Sequence, residues 1–306
     1  MNLRNPTEIE ACLAAGAIGD ALGSHAEGSR VGWVPAEIPL EISDDTQLSL
    51  ATCMSIVQRG AVDPEHLAAR FAEDYQQRRY RGLGASTTKA LLDLANGAHW
   101  SQSGCRGERA AGNGAAMRVA PLAFLLDPER PAERQLLSDV CRITHHNDEA
   151  YLGALSIARA LRRVRCSPQH LEDALLEHLA SALPDCRVRD ALRALERLPL
   201  DAPLQEAAAI SGTSGFVAAS VPLALFAAQR AARLELGVLL RDVITLGGDT
   251  DTIAALVGQI AGAALGWGAL PVEDGERIVE WSEVLETAAS FARFVERRLR
   301  GSRAPS

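Results

Sequence analysis

Two short acidic motifs, about 200 residues apart, place the strongest constraint on how this chain can fold. The first is Ser43-Asp44-Asp45-Thr46, and the second is Gly247-Gly248-Asp249-Thr250-Asp251-Thr252. Each motif stands directly before an apolar run of helical character. If the motifs cooperate, distant parts of the chain must meet, which favours one all-α domain over two separate domains.

Helical periodicity dominates the rest of the sequence. Asp63-Pro64 has the residue types of a helix N-cap and first position, and the apolar residues after it recur every four positions. Similar apolar stripes run over 171–183, 188–198 and 278–288, with Pro and Gly between them. One extended-looking stretch, 31–42, is short. These patterns predict an all-α fold.

No long linker or repeat interrupts the chain. We therefore expect one domain over 1–306, with a core at about 11–295 and a flexible C-terminal tail at 300–306. The apolar segment 253–270 resembles a membrane span, but its glycines and Gln259 favour a buried core helix, so no membrane association is expected.

The charge and the cysteines limit partners and location. A formal net charge of -8 argues against nucleic-acid binding, which depends on Lys and Arg. Four arginines within 159–165 are interpreted as a solvated helix face. The six cysteines form no C-x-x-C pair and no N-terminal signal peptide is apparent, so we expect reduced, mostly buried thiols and a cytoplasmic location.

The acidic motifs permit two interpretations. Ser43 and Asp249 have N-cap residue types, and acids in a first helical turn favour the helix dipole, so both motifs could be helix starts only. Alternatively, the carboxylates and hydroxyls are the hard oxygen ligands that suit Mg²⁺, Mn²⁺ or Ca²⁺. Gly247-Gly248 favours the second interpretation, because glycine lets the backbone approach a ligand closely.

Other motifs offer candidate ligand contacts. Gly16, Gly19 and Gly23 give a helix a thin face, with Glu27 near its predicted end. Gly112-Asn113-Gly114 precedes an apolar segment, and a helix starting there would present N–H groups to an anion.

Two more motifs are ambiguous. Thr144-His145-His146-Asn147 contains a His pair, but adjacent residues on a helix point in different directions, which disfavours a two-His metal site. The turn Gly212-Thr213-Ser214-Gly215-Phe216-Val217 precedes an apolar helix and fits either a helix cap or a small-ligand contact.

Taken in order, these motifs resemble those of the ADP-ribosylglycohydrolase family, which includes dinitrogenase reductase-activating glycohydrolase and the ADP-ribosylhydrolases. The order is GDALG with a following Glu, SDDTQ, GNGAAMR, ITH, GTSGF and GGDTDTIAALVGQIAGAALG, over roughly 11–270. The resemblance implies an all-α fold, as a single compact orthogonal helical bundle, with two Mg²⁺ or Mn²⁺ ions in a central cleft. Ser43 stands where many relatives have Thr, and Phe216 where many have Tyr.

The resemblance also implies roles for individual residues. The implied metal ligands are Ser43, Asp44, Asp45, Asp249, Asp251 and Thr252. The positions implied to lie near bound ADP-ribose are Asn113, Gly114, His145, Ser214, Gly215 and Phe216. Glu27 matches the glutamate beside the metals and is the expected catalytic proton-transfer group, with Asp45 and Asp249 next in line.

The function implied is hydrolysis of the glycosidic bond between ADP-ribose and a modified protein side chain, or a small ADP-ribosyl compound, with release of ADP-ribose. Such a bond breaks through an oxocarbenium-like state, for which a carboxylate acid/base is suited. Two other interpretations stay open: a non-catalytic ADP-ribose- or nucleotide-binding protein on the same fold, and a metal-dependent phosphohydrolase.

Overall fold

The computed structural model describes residues 7–27 and 38–301, so most of the extended-looking stretch 31–42 and the tail beyond residue 301 lie outside the described residues. Within these ranges there are sixteen α-helices and no strand, which confirms the predicted all-α class. The first eight helices are α1 (Glu8–Ala26), α2 (Asp44–Arg59), α3 (Pro64–Gln76), α4 (Ala85–Ala95), α5 (Trp100–Ser103), α6 (Ala120–Ala123), α7 (Pro131–Arg142) and α8 (Asp148–Cys166). The other eight are α9 (Leu175–Ser181), α10 (Arg187–Glu196), α11 (Leu204–Ser211), α12 (Val217–Ala228), α13 (Leu236–Ile244), α14 (Thr250–Leu265), α15 (Val272–Glu276) and α16 (Trp281–Gly301).

Helices α1 and α14 pack against each other at the centre of the molecule, and nearly all their residues are buried. Glycines make this approach possible. A Cβ at Gly19 would overlap the α14 backbone, and a Cβ at Gly258 or Gly262 would overlap the α1 backbone. In the sequence, the i, i+4 spacing of Gly258, Gly262 and Gly266 predicts a smooth stripe that a neighbouring helix can approach closely. The structure confirms the close approach at Gly258 and Gly262. The prediction is wrong at Gly266, which ends α14 with a φ of 74° and faces open space.

Helix α14 is the buried core helix that the sequence predicts for the apolar segment. None of the described helices is both long and apolar enough to cross a membrane.

Several helix starts follow the predicted capping chemistry. The side chain of Asp63 accepts hydrogen bonds from the backbone of Glu65 and His66 at the start of α3. Ser43 caps α2 by accepting from the backbone N–H of Asp45. Asp249 occupies the N-cap position of α14, yet its side chain makes no capping hydrogen bond. That carboxylate is therefore not needed to start the helix.

Two helix predictions are wrong. The apolar stripe 171–183 is not one helix, because a 3-10 turn ends at Leu171 and Ala174 adopts a φ of 48° before α9 begins. The four arginines of α8 do not form a solvated face. Arg159 is buried and pairs with Glu129 at 2.8 Å, and Arg165 pairs with Glu8. These guanidinium groups tie α8 to its neighbours.

All six cysteines are free thiols, as predicted. Three of them, Cys12, Cys53 and Cys141, are buried, whereas Cys166 is exposed.

Candidate active site

The first turns of α2 and α14 meet at a cleft of about 340 Å³. Asp44 and Asp45 enter it from α2, and Asp249, Asp251 and Thr252 enter it from the start of α14. The two acidic motifs, far apart in the sequence, therefore lie side by side, as the sequence predicts. Close packing of α1 against α14 fixes the second motif to the centre of the fold.

Five carboxylates form two overlapping clusters. Asp20, Asp45 and Asp251 each place a carboxylate oxygen within 4.8 Å of the other two, and Glu27, Asp249 and Asp251 do the same. Asp251 belongs to both clusters. Each cluster brings three carboxylate oxygens close enough together to hold a cation, and the two clusters share Asp251.

Asp20 is not among the site residues predicted from the sequence. It is fully buried on α1, and its carboxylate accepts hydrogen bonds from the backbone of Ser43, at 3.0 and 3.1 Å, and of Thr46, at 3.1 Å. These bonds hold the first turn of α2 in place. The available signal was an acid within GDALG, on a helix whose neighbouring residues are small or apolar.

Asp45 is held on one side only. Its Oδ2 accepts hydrogen bonds from the hydroxyls of Ser43, at 3.3 Å, and Thr252, at 3.2 Å. Its Oδ1 is buried and has no hydrogen-bond partner among the described residues. Since a buried oxygen without a partner is costly, this atom is suited to a ligand such as a cation. Ser43 itself lies behind Asp45 and is not among the cleft-lining residues.

The carboxyl groups raise one another's pKa. Burial, and then repulsion from Asp20, raises the pKa of Asp44 to about 7. Burial, and then repulsion from Asp249, raises the pKa of Asp251 to about 8. The pKa of Asp45 is also raised, by burial and by Asp251. An all-oxygen donor set that crowds negative charge in this way fits hard divalent cations such as Mg²⁺ or Mn²⁺.

Glu27 stands at the rim of the cleft. It follows the last residue of α1, as predicted, and its backbone N–H donates to Ser24 O at 3.3 Å. Its side chain is exposed and belongs to the cluster with Asp249 and Asp251. Partial burial and the charge of Asp249 raise the pKa of Glu27. A carboxyl group placed there can exchange protons with solvent and with a group bound in the cleft.

Asn113 connects the opposite wall to the acids. Its amide donates to Asp249 Oδ2 and, at 3.0 Å, to Ser220 Oγ, while its backbone N–H donates to Gly215 O at 3.0 Å. Gly114 lies beside it, and its carbonyl accepts from the fully buried Arg118. Asn113, Gly114 and Gly215 all line the cleft.

The helix predicted to start directly after Gly112-Asn113-Gly114 is wrong, so helix N–H groups cannot form an anion site there. Residues 113–118 form turns, and α6 is a four-residue helix that starts only at Ala120. The loop is held instead by a β-bridge between Gly112 and Phe216. Glycine is required at 114, because a Cβ there would lie 2.7 Å from the His145 ring.

His145 lines the cleft, and its ring packs against the loop at Gly112 and Gly114. It is buried, and its Nδ1 pairs with Thr144 Oγ1 at 2.8 Å. Burial, and then the charge of Arg118, lowers the pKa of His145 to about 3, so the ring is neutral. Neither His145 nor His146 belongs to the two acidic clusters found among the described residues.

Ser214 and Phe216 flank Gly215 but are not among the described residues that line the cleft. Ser214 is exposed, and its Oγ accepts from the Phe216 backbone at 3.4 Å. The half-buried Phe216 ring faces the guanidinium of Arg187, 5.8 Å from the ring centre. Both residues are therefore neighbours of the cleft-lining Gly215 in the sequence, and the described structure does not place their side chains in the cleft.

Comparison with known proteins agrees with this architecture. The family model for ADP-ribosylglycohydrolase matches residues 3–303. ADP-ribosylhydrolase ARH3 of Homo sapiens is 27% identical over 320 residues, covering 88% of each chain. An uncharacterized protein of Archaeoglobus fulgidus is 28% identical over 270 residues, covering 82% of this chain and 86% of that protein. A solved ADP-ribosylglycohydrolase-related protein complex superposes with a TM-score of 0.73 at 28% identity, over 94% of this chain and 98% of that one. The chain therefore belongs to the ADP-ribosylglycohydrolase family.

Proposed function

We propose that this protein is a metal-dependent hydrolase that cleaves the glycosidic bond between ADP-ribose and a modified protein side chain, or a small ADP-ribosyl compound. ADP-ribose is the product. The pair of acidic clusters that share Asp251 carries the proposal. The ADP-ribosylhydrolases among its relatives support the substrate class.

We assign two Mg²⁺ or Mn²⁺ ions to these clusters. Asp45 and Asp251 would hold one ion, with the third acid of that cluster, Asp20, and the cleft-lining Asp44 and Thr252 near it. Ser43 would act indirectly, because its hydroxyl donates to Asp45. Asp249 and Asp251 would hold the other, beside Glu27. When bound, such ions supply Lewis acidity toward ribose hydroxyls and water.

The chain's own groups then have distinct tasks. Asn113 fixes Asp249 through its amide and joins the two walls of the cleft. The backbone at Gly114 lets a ligand approach closely, and the neutral His145 presents an uncharged ring to it. Glu27 transfers protons to and from the reacting groups, because it combines exposure to solvent with a raised pKa.

Product analysis tests this function. Peptides mono-ADP-ribosylated on arginine or on serine are incubated with the protein in Mg²⁺, Mn²⁺ or EDTA, and the products are separated by chromatography. We expect intact ADP-ribose with at least one peptide and none in EDTA. Orthophosphate release would identify a phosphohydrolase, and tight ADP-ribose binding without turnover would identify a non-catalytic binding protein.

The metal also has an expected effect on stability. The pKa values of Asp44 and Asp251 are raised above the usual value of about 3.9, so between about pH 4 and 8 the folded protein holds more protons than the unfolded one. The free energy of unfolding of the metal-free protein therefore falls as pH rises through that window. Divalent ions replace those protons, and at a hundredfold excess over Kd they add about 2.7 kcal/mol.

Thermal melting in EDTA, from pH 5.5 to pH 8, checks this expectation. We expect Tm to fall with pH in EDTA and to rise by about 4 °C at pH 8 when Mg²⁺ or Mn²⁺ is added. KCl at matched ionic strength separates specific binding from charge screening. A Tm at pH 8 that is the same in EDTA and in Mg²⁺ or Mn²⁺ would contradict the two-ion assignment.

A further inference from the structure

Arg109 contributes a positive charge to the cleft, and it belongs to neither of the two acidic motifs. Its side chain is exposed and lines the same cleft as Asp44, Asp249 and Asp251. Among the described residues that line this cleft, it is the only cation, against five carboxylates. Across the described ranges, the Arg109 guanidinium has no hydrogen bond or ion pair with another protein group. It is therefore free to bind a ligand.

The backbone that carries Arg109 is fixed on both sides. Before it, Cys105 N–H donates to Thr144 O at 3.0 Å, and the carbonyl of Cys105 accepts from the backbone of His146. After it, the carbonyl of Ala111 accepts from the Val217 backbone at 2.9 Å. Arg109 itself sits in a 3-10 turn between these two attachments. The guanidinium thus projects from a restrained arch.

The position of this arch matches the length of the proposed substrate. Asn113 contacts the carboxylates, and Arg109 lies four residues before it, at most about 14 Å away even along an extended chain. The diphosphate of an ADP-ribosyl group is attached directly to its terminal ribose, so a ligand whose terminal ribose lies at the acids can hold its phosphates within reach of Arg109 in the same cleft. The two proposed divalent ions would offset most of the negative charge at the acids themselves, and Arg109 supplies positive charge in the part of the cleft where a diphosphate would lie.

We propose that Arg109 is a specificity-determining residue that binds the phosphate groups of the ADP-ribosyl substrate. The proposal rests on the proposed function, whose residues around the acids do not account for recognition of a diphosphate. Arginine presents several N–H donors in a planar fork that matches phosphate oxygens. Arg109 would make the cleft select ligands with a diphosphate over neutral ribosides.

Calorimetric titration tests this assignment. The ligands are ADP-ribose, ADP and adenosine, and the proteins are wild type, Arg109→Gln, Arg109→Lys and Arg106→Gln. Arg106 is an exposed arginine three residues earlier that does not line the cleft, so its variant is a matched control. We expect Arg109→Gln to weaken ADP-ribose and ADP binding by about 10- to 100-fold and to leave adenosine unchanged.

Salt and the lysine variant give further readouts. Affinity of the wild type for ADP-ribose should fall more steeply with KCl than that of Arg109→Gln, because one charge pair is missing from the variant. Arg109→Lys should keep a larger share of the affinity, since it retains the charge. The proposal is overturned if Arg109→Gln binds ADP-ribose as tightly as the wild type does. It is also overturned if the variant loses as much affinity for adenosine as for ADP-ribose.

Hydrolysis assays on the same variants separate this proposal from the proposed function. A raised KM for an ADP-ribosylated peptide with unchanged affinity for free ADP-ribose would assign Arg109 to the peptide and overturn the phosphate role. If the wild type binds ADP-ribose through Arg109 but hydrolyses no ADP-ribosyl bond, the phosphate role stands and the hydrolase function fails.

Discussion

Asp251→Asn is expected to reduce hydrolysis of an ADP-ribosylated peptide by about 10³-fold or more. Asp251 is the carboxylate shared by both acidic clusters, so its loss weakens both cation positions at once. Stabilisation of transition-state charge by a bound metal is worth several kcal/mol, and each 1.36 kcal/mol corresponds to a factor of ten in rate. Steady-state assays in saturating Mg²⁺ or Mn²⁺ provide the measurement.

The same variant should stay folded. Asn has nearly the same size and shape as Asp, and among the described residues the one hydrogen bond of the Asp251 side chain is local, from the Thr252 backbone N–H to Oδ1. In EDTA at pH 8 the variant should melt at or above the wild-type Tm, because one of the crowded charges is gone. Asp148→Asn is the matched control, since Asp148 is exposed and opens α8 away from the cleft. Near wild-type turnover of Asp251→Asn would show that the acids merely start α14.

Glu27→Gln is expected to separate chemistry from binding. Gln keeps the shape and can still form hydrogen bonds, but it cannot exchange a proton. General acid–base catalysis typically contributes about 10²–10⁴-fold, so kcat should fall by that order. Affinity for ADP-ribose should change little, because Asp45, Asp249 and Asp251 and the loop at Asn113 remain in place.

Single-turnover rates and ADP-ribose titration of Glu27→Gln show whether Glu27 transfers protons or instead positions the ligand or the metal. Unchanged turnover would move proton transfer to Asp45 or Asp249. A large loss of ADP-ribose affinity would instead make Glu27 a residue that positions the ligand or holds the metal. Glu65→Gln serves as control, because Glu65 is a first-turn acid of α3 outside the cleft.

The parts of the structure that follow local rules were predictable. The caps at Ser43 and Asp63 depend on neighbours two or three residues away, and the sequence identifies them directly. The acidic residues that line the cleft also follow from the motifs, because each motif crowds oxygen ligands into one turn. Gly258 and Gly262 also predicted a close contact between two helices, but the sequence did not show that α1 would be the partner.

What the sequence did not predict depends on distant partners. Asp20 works through the backbone of Ser43, 23 residues later. The sequence pattern predicts a solvent-exposed Arg159. In the structure this side chain is buried and donates hydrogen bonds to the Glu129 carboxylate and to the carbonyl of Ala182, 23 residues later. Arg109 stood in no recognised motif, and only the folding of its arch against 144–146 and 217 brings it to the cleft. Contacts between residues so far apart in the sequence depend on how the helices are arranged in space, and local sequence patterns carry no information about that arrangement.

The contact between α1 and α14 has a consequence for how the protein is made. The acidic clusters take Asp20, Asp45 and Glu27 from one part of the sequence, and Asp249 and Asp251 from a part about 200 residues later. During synthesis the N-terminal part emerges first, and a contact between such distant segments closes late. A nascent chain that has not yet released α14 holds two of the three acids of one cluster and one of the three of the other. A complete set of acids for either proposed cation position thus exists only after α14 has been made, so an ion bound there would report that the chain has been synthesised and folded at least as far as Asp251.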